Sequence, residues 1–290
     1  MPTRTLRALL AGLIDYAGLF PPAGLPLAEV ARHYDAYRRS PDAWALGHLV
    51  VPAARLEELS DLVAASGVAP LLVSALIGDD LAGDGSRIQA AATRGHVIVD
   101  AVEARASTAT AVDNVMREFG EGHAVYVEIP VADDPWQLVK AIAQSGGRAK
   151  IRSGGVVPEA FPTAAQCARF ILRCAELGVS FKATAGLHHP LRGNYSISYA
   201  ADAPRTTMFG FVHLFVAAAF ARTGVPQAMI EDVLEERDPG ALEFTDDGLA
   251  WRGHSLSRAD VVAARTSFAL AFGSCSFREP IDELTRLGLL

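Results

Sequence analysis

The chain has 290 residues, half of them hydrophobic, which is ample for one large α/β domain with a full core. A net charge of −7 and a pI near 5.6 argue against a general nucleic-acid binder. No run of 18 apolar residues occurs, and the three cysteines form no disulfide framework, so a cytoplasmic protein without membrane or nucleic-acid partners is expected.

The opening stretch, Met1-Pro-Thr-Arg-Thr-Leu-Arg-Ala-Leu-Leu, has basic residues before apolar ones. Asp15 and Tyr16 interrupt it too early for a signal peptide. Residues 11–15 are short and apolar, and a Gly/Pro loop follows over 16–26. From there strand-like and helix-like segments alternate. Strands are predicted at 46–51, 70–77, 96–102 and 123–129, then one ending at Lys150 and one ending at Lys182. Helices are predicted at 27–39, 53–65, up to Arg94 after a loop at 78–85, then at 107–119, 135–144 and 163–177. Continuous apolar strands between amphipathic helices imply a parallel sheet covered on both faces. Seven βα-type units before residue 190 predict an α/β fold of the (β/α)8, TIM-like barrel class.

The C-terminal third is less regular. A very apolar helix is expected at 207–221 and a shorter one at 226–235. Thr245-Asp-Asp-Gly248 marks a β-hairpin within 241–253. A helix is expected at 257–272, with Ser257 as N-cap and Asp260 three residues on. The eighth strand is left among three placements: 269–272, a hairpin strand, or none. The reading is a single domain over 1–290 with residues 195–268 inserted in it.

The candidate chemistry starts from two lysines. Arg148-Ala-Lys150-Ile-Arg152-Ser-Gly-Gly155 and Val179-Ser-Phe-Lys182-Ala-Thr-Ala-Gly186 each run from a strand into a glycine turn, one crossover apart. Strand C-termini are where α/β barrels hold their active sites. Alternation puts Lys150 and Arg152 on one face, and likewise Lys182 and Thr184. Buried cations need carboxylates, and Asp15, Asp100 and Glu128 each interrupt an otherwise apolar strand. A pair of ammonium groups in which one lowers the pKa of the other makes a nucleophilic amine.

Other residues are candidate substrate contacts. Ser153, Gly154 and Gly155, with Gly273, Ser274 and Ser276, offer backbone N–H groups in tight turns. Arg152 and Arg192 are candidates for anion contacts. His188 and His189 offer a proton shuttle or a substrate contact; with no HxxxH or HExxH pattern, no metal is assigned to them. Cys275 has no histidine assigned to it, Cys167 and Cys174 read as buried hydrophobes two turns apart on one helix, and His213 reads as a satisfied core histidine.

In this order, these residues resemble the deoxyribose-phosphate aldolase family, class I aldolases on a TIM barrel. Leu13-Ile-Asp-Tyr-Ala-Gly-Leu19 is similar to its first strand. Residues 96–102 resemble its strand with the catalytic aspartate, at Asp100, and Tyr126-Val-Glu-Ile129 the next strand. Lys150 lies where the family has the Schiff-base lysine of Lys-Thr-Ser-Thr-Gly. Phe181-Lys182-Ala-Thr-Ala-Gly186 lies where it has the second, pKa-lowering lysine, and Phe272-Gly-Ser-Cys-Ser276 resembles its last phosphate loop. The chain departs from the pattern at Arg152, at Gly186-Leu-His-His-Pro-Leu-Arg192, and in the long segment 195–268.

The resemblance implies a lyase that forms a Schiff base on Lys150. Lys182 would depress its pKa, Asp100 would shuttle protons, and Asp15 or Glu128 would orient the lysines. Gly186 and Thr184 join the substrate contacts. The substrate is a small carbonyl compound with a carboxylate or phosphate, and no cofactor is required. Two alternatives remain at this point. One is a metal-dependent hydrolase or isomerase using His188, His189, Glu128 and Asp100. The other is a non-catalytic ligand-binding barrel, with the apolar segment 208–220 as a partner or homodimer surface.

Overall fold

The structure is a computed structural model that describes residues 2–290. The first element, helix α1 (Arg4–Leu10), begins where the Thr3 hydroxyl accepts from the Leu6 amide. Strand β1 (Ile14–Tyr16) follows. Helices and strands then alternate: α2 (Leu27–Tyr37), β2 (Leu46–Pro52), α3 (Leu56–Ser66), β3 (Leu71–Leu76), α4 (Leu81–Arg94) and β4 (Val97–Arg105). The series continues with α5 (Ala109–Phe119), β5 (Ala124–Glu128), α6 (Trp136–Gln144), β6 (Arg148–Arg152), α7 (Ala164–Glu176) and β7 (Phe181–Thr184). Punctuation is local. Asp80 caps α4 through the Gly83 amide, Thr163 and Gln166 form a capping box on α7, and α3 ends at Gly67 with φ at 66°.

The β7–β8 connection leads into a two-stranded hairpin of β8 (Gly193–Ser196) and β9 (Arg205–Met208). Helices α8 (Phe211–Ala221) and α9 (Gln227–Glu235) come next. A three-stranded sheet of β10 (Leu242–Phe244), β11 (Gly248–Trp251) and β12 (His254–Ser257) follows. The expected turn at Thr245–Gly248 joins the first two of these strands, and the third was not foreseen. Helix α10 (Arg258–Ser267), strand β13 (Ala269–Ser274) and helix α11 (Arg278–Arg286) complete the chain.

Eight strands close a parallel barrel in the order β1-β13-β7-β6-β5-β4-β3-β2, so the TIM-like class read from the sequence holds. Seven of its strands precede residue 190, as predicted. The eighth is β13. The helix expected over 257–272 keeps its Ser257–Asp260 capping box but ends at Ser267. Phe268 leaves helical geometry, its carbonyl accepts from the Phe181 amide, and the chain pairs with β7 and β1. Phe272 then packs between β13 and α8, its ring 4.9 Å from that of Phe211.

The segment 207–221 is a strand end and then a helix, broken at Phe209-Gly210. Gly210 lies against the backbone of Pro190 and Leu191, where a Cβ would meet atoms at 2.4 Å and 2.6 Å. Every residue of α8 is buried, as suits a helix that is apolar on all sides. It packs within the chain against α7, α9, α10 and β13, so the segment 208–220 is core rather than the partner surface considered above. His213 is also buried there, but among the described residues neither ring nitrogen has a partner, and burial lowers its pKa to about 4. It is a neutral core histidine, and not a satisfied one. Among the described residues, no helix is long and apolar enough to cross a membrane.

Candidate active site

The polar layer of the barrel interior follows from register. Glu128, Lys150 and Lys182 lie side by side across β5, β6 and β7, so their side chains share a face. Glu103 reaches the same layer from β4. Its two oxygens hold two ammonium groups: Oε2 lies 2.8 Å from Lys150 Nζ and Oε1 2.6 Å from Lys182 Nζ. Ser74 Oγ also donates to Oε1 at 2.7 Å. Lys150 Nζ lies 2.9 Å from Glu128 Oε2, and Lys182 pairs with Asp15 on β1. All five charged side chains are buried. A buried charge without such partners would cost several kcal/mol, so the cluster stands as a unit.

The electrostatics differ from the expected pair of repelling lysines. Burial opposes charge on Lys182, but Asp15 and Glu103 outweigh it and raise its pKa above the ordinary lysine value. The Tyr126 ring, 5.2 Å from Nζ, adds a cation–π contact. Burial likewise opposes the carboxylates, yet the lysines hold Glu103 and Glu128 below the usual range, and Lys182 and His48 do the same for Asp15. Lys182 is therefore an ammonium, and Glu103 stands between it and Lys150.

Asp100 is not in this cluster. β4 bulges between Val99 and Ala101, runs three residues beyond the predicted end, and delivers Glu103 where Asp100 was expected. The Asp100 side chain is half exposed and lies 2.8 Å from His48 Nε2. His48 Nδ1 lies 3.3 Å from Asp15 Oδ1, and the His48 amide donates to the same oxygen at 2.7 Å. Burial opposes charge on this ring, but the flanking carboxylates of Asp100 and Asp15 raise its pKa to about 10. The sequence reading missed both Glu103 and His48. The signal for Glu103 was present: Val-Glu-Ala-Arg105 continues the apolar strand with another lone acid.

A cavity of ≈ 320 Å³ opens at the C-terminal ends of the strands, with Lys150, Glu103, Arg152 and Thr184 on its wall. Arg152 Nε donates to Glu128 Oε1 at 3.0 Å, and Arg105, another unforeseen cation, approaches the same oxygen at 3.5 Å. Phe20, Pro21 and Pro22, from the loop after β1, roof one side together with Ile197 and Met208. Gly155, Gly186, Gly273 and His188 also line it. Lys182 lies below, out of the wall.

The proposed phosphate loops are occupied by the protein itself. The Ser153 hydroxyl donates to Thr184 O and Ala185 O. Gly154 and Gly186 pack against each other under the Phe161 ring; a Cβ on Gly154 would meet that ring at 2.5 Å and Gly186 Cα at 2.7 Å. Ser274 Oγ accepts from the Ser276 amide, and Ser276 Oγ accepts from the Glu279 amide at the start of α11. Arg192 points elsewhere, over the Phe209 ring and toward Glu235. Ser153, Ser274 and Ser276 thus bond to the protein's own backbone, and Arg192 does not line the cavity.

The two histidines part company. His188 faces the cavity, with Nδ1 3.8 Å from Cys275 Sγ and 3.4 Å from Glu279 Oε2. Burial opposes its charge, but Cys275 and Glu279 raise its pKa to about 9. Cys275, on the same wall, thus gains the histidine the sequence did not assign. His189 turns away, stacks on Tyr195 and pairs with Glu283. Neither histidine meets Glu128 or Asp100, so the metal set considered from the sequence is not assembled. Cys167 and Cys174 are buried in α7, as expected.

No protein-family model matches the chain, and no curated protein matches it. Among solved structures, that of a proposed lyase/mutase from Burkholderia cenocepacia is 17% identical and covers 81% of this chain and 95% of that chain, with a TM-score of 0.38. A likeness at that level carries no weight for chemistry, and the barrel rests on its own strand pairing.

Proposed function

We propose that the protein is a lyase that makes or breaks a C–C bond in a small carbonyl compound through a Schiff base on Lys150. One observation carries this reading: Lys150 is the lysine on the cavity wall, and its Nζ touches two carboxylates. Lys150 transfers a proton to Glu128 or Glu103, an uphill step because both carboxylates are held below the usual range, and the free amine adds to the carbonyl carbon. Loss of water from the carbinolamine leaves an iminium, which accepts the electron pair of the breaking bond. The protonated carboxylate gives its proton to the carbinolamine hydroxyl that leaves as water, then takes the hydroxyl proton of the fragment that departs as a carbonyl compound. It returns that proton to the enamine carbon, and water hydrolyses the resulting iminium to free the product and Lys150.

The substrate of this reading carries a carboxylate and an apolar body. Arg105 and Arg152 face the cavity with a single carboxylate, Glu128, between them, while Phe161 fills the glycine turn that a phosphate would need. Phe20, Leu76 and Met208 suit a hydrocarbon chain. The test is reduction with borohydride in the presence of a panel of 2-oxo acids and aldehydes, followed by peptide mass mapping. An adduct on Lys150 that vanishes in Lys150→Ala is expected. No adduct across the panel, or one placed only on exposed lysine, refutes the proposal.

A further inference from the structure

We propose that His189, Glu279 and Glu283 form a site for a divalent transition-metal ion, separate from the Lys150 cluster and independent of the Schiff-base reading. Glu279 and Glu283 are one turn apart on α11, and His189 reaches them from the connection after β7. The three groups each bring a ligand atom within 4.8 Å of the others. His189 Nδ1 lies 2.8 Å and 2.9 Å from the two oxygens of Glu283. Nitrogen and oxygen ligands about 2.0–2.2 Å from a zinc-sized ion lie roughly 3 Å from one another, so the spacing suits a shared ion.

The surroundings are those of an oriented ligand set. The His189 ring is clamped by Tyr195, with centroids 3.5 Å apart and planes at 15°. Its carbonyl accepts from the Phe211 amide, which fixes the backbone. Tyr199 donates to Glu279 Oε2 at 3.2 Å, the kind of outer contact that orients a ligating carboxylate. Among the described residues, the only ion-pair partner of Glu279 is His188, and that of Glu283 besides His189 is the mostly exposed Arg286 at 3.8 Å. Glu279 thus has one cationic neighbour, His188, and Glu283 has only the distant Arg286 besides His189. A second cavity of ≈ 240 Å³, bordered by His189, Tyr195, Tyr199 and Glu279, gives an ion access and leaves room for water ligands. One imidazole and two carboxylates suit Zn²⁺ or Mn²⁺ better than a soft ion. A bound ion would tie the segment after β7 to α11, and so hold the neighbouring His188 on the wall of the Lys150 cavity.

The test uses tag-free, chelator-stripped protein titrated calorimetrically with Zn²⁺ and, separately, Mn²⁺. Expected is one ion per chain for at least one metal, with binding weakened about tenfold or more in both His189→Ala and Glu283→Gln. The same ion should raise the melting temperature of the unaltered protein and not that of the variants. If His189→Ala does not fold, Glu279→Gln, at a partly exposed position, replaces it. No binding to the unaltered protein overturns the proposal. So does binding that the folded variants retain unchanged, which would mark an adventitious surface ion.

Discussion

Glu103 links the two lysines of this barrel, one oxygen to each. Replacing it with Gln takes one of two carboxylate partners from each buried lysine, leaving Glu128 to Lys150 and Asp15 to Lys182. Glu103→Gln is expected to lose about 3–5 kcal/mol of stability, read by urea unfolding. In protein that remains folded, the rate of Lys150 trapping is expected to fall by about 10²–10⁴. Lys182→Met separates a positioning role from a chemical one: if Lys182 acts only through Glu103, adduct formation on Lys150 should shift in its pH dependence rather than disappear. The residue that recognition by pattern selected, Asp100, lies on the far side of His48. Asp100→Asn is therefore expected to leave the borohydride adduct intact. A loss comparable to that of Glu103→Gln would show that Asp100 joins the reaction.

At the scale of elements, the difference between Asp100 and Glu103 is one bulge. A regular strand presents residues i and i+2 to one face, so acids three apart cannot both point inward. The bulge between Val99 and Ala101 resets that alternation, and no periodicity of the sequence announces it. The eighth strand was hidden for a related reason. Residues 258–272 are all compatible with helix, and only pairing between β7 and β1 pulls Ala269–Ser274 into the sheet. The turn between β6 and α7 offers a test of the plugged phosphate site. Phe161 closes on Gly154 and Gly186, and Phe161→Ala should enlarge the cavity. Inhibition of adduct formation by inorganic phosphate should then rise in the variant while remaining weak in the unaltered protein. Equal inhibition in both would mean that Phe161 does not block the anion. α8 poses the opposite case, because its apolarity was legible but its role was not. A sequence can show that a helix wants cover, and only packing shows that α7, α9 and α10 supply it.

For the whole molecule, the charged barrel interior sets the pH range of stability. Asp15, Glu103 and Glu128 have folded pKa values below their unfolded ones, so their contribution is present above the ordinary carboxylate pKa and is lost as pH falls through the folded values. His48 has a folded pKa of about 10, above its unfolded value near ~6.5. Its contribution is complete below that unfolded value and disappears as pH rises to about 10. Unfolding free energy should therefore decline from neutral to pH 10, and His48→Gln should reduce that alkaline limb, leaving the part due to His188, whose pKa is raised to about 9, and leaving the acid limb. An unchanged limb in His48→Gln would place the titrating group elsewhere.

Alternating apolar strands and amphipathic helices were enough to specify the barrel, because burying both faces of a parallel sheet leaves few other arrangements. The two lysines and the acids Asp15 and Glu128 were also visible, since a lone charge in an apolar strand is conspicuous. Which acid stands between the lysines, which loop glycines are already filled, and which histidine faces the cavity were decided only by the fold. Those facts depend on register, a bulge and contacts between residues as far apart as Lys182 and Asp15, and local sequence carries no record of distances across a barrel.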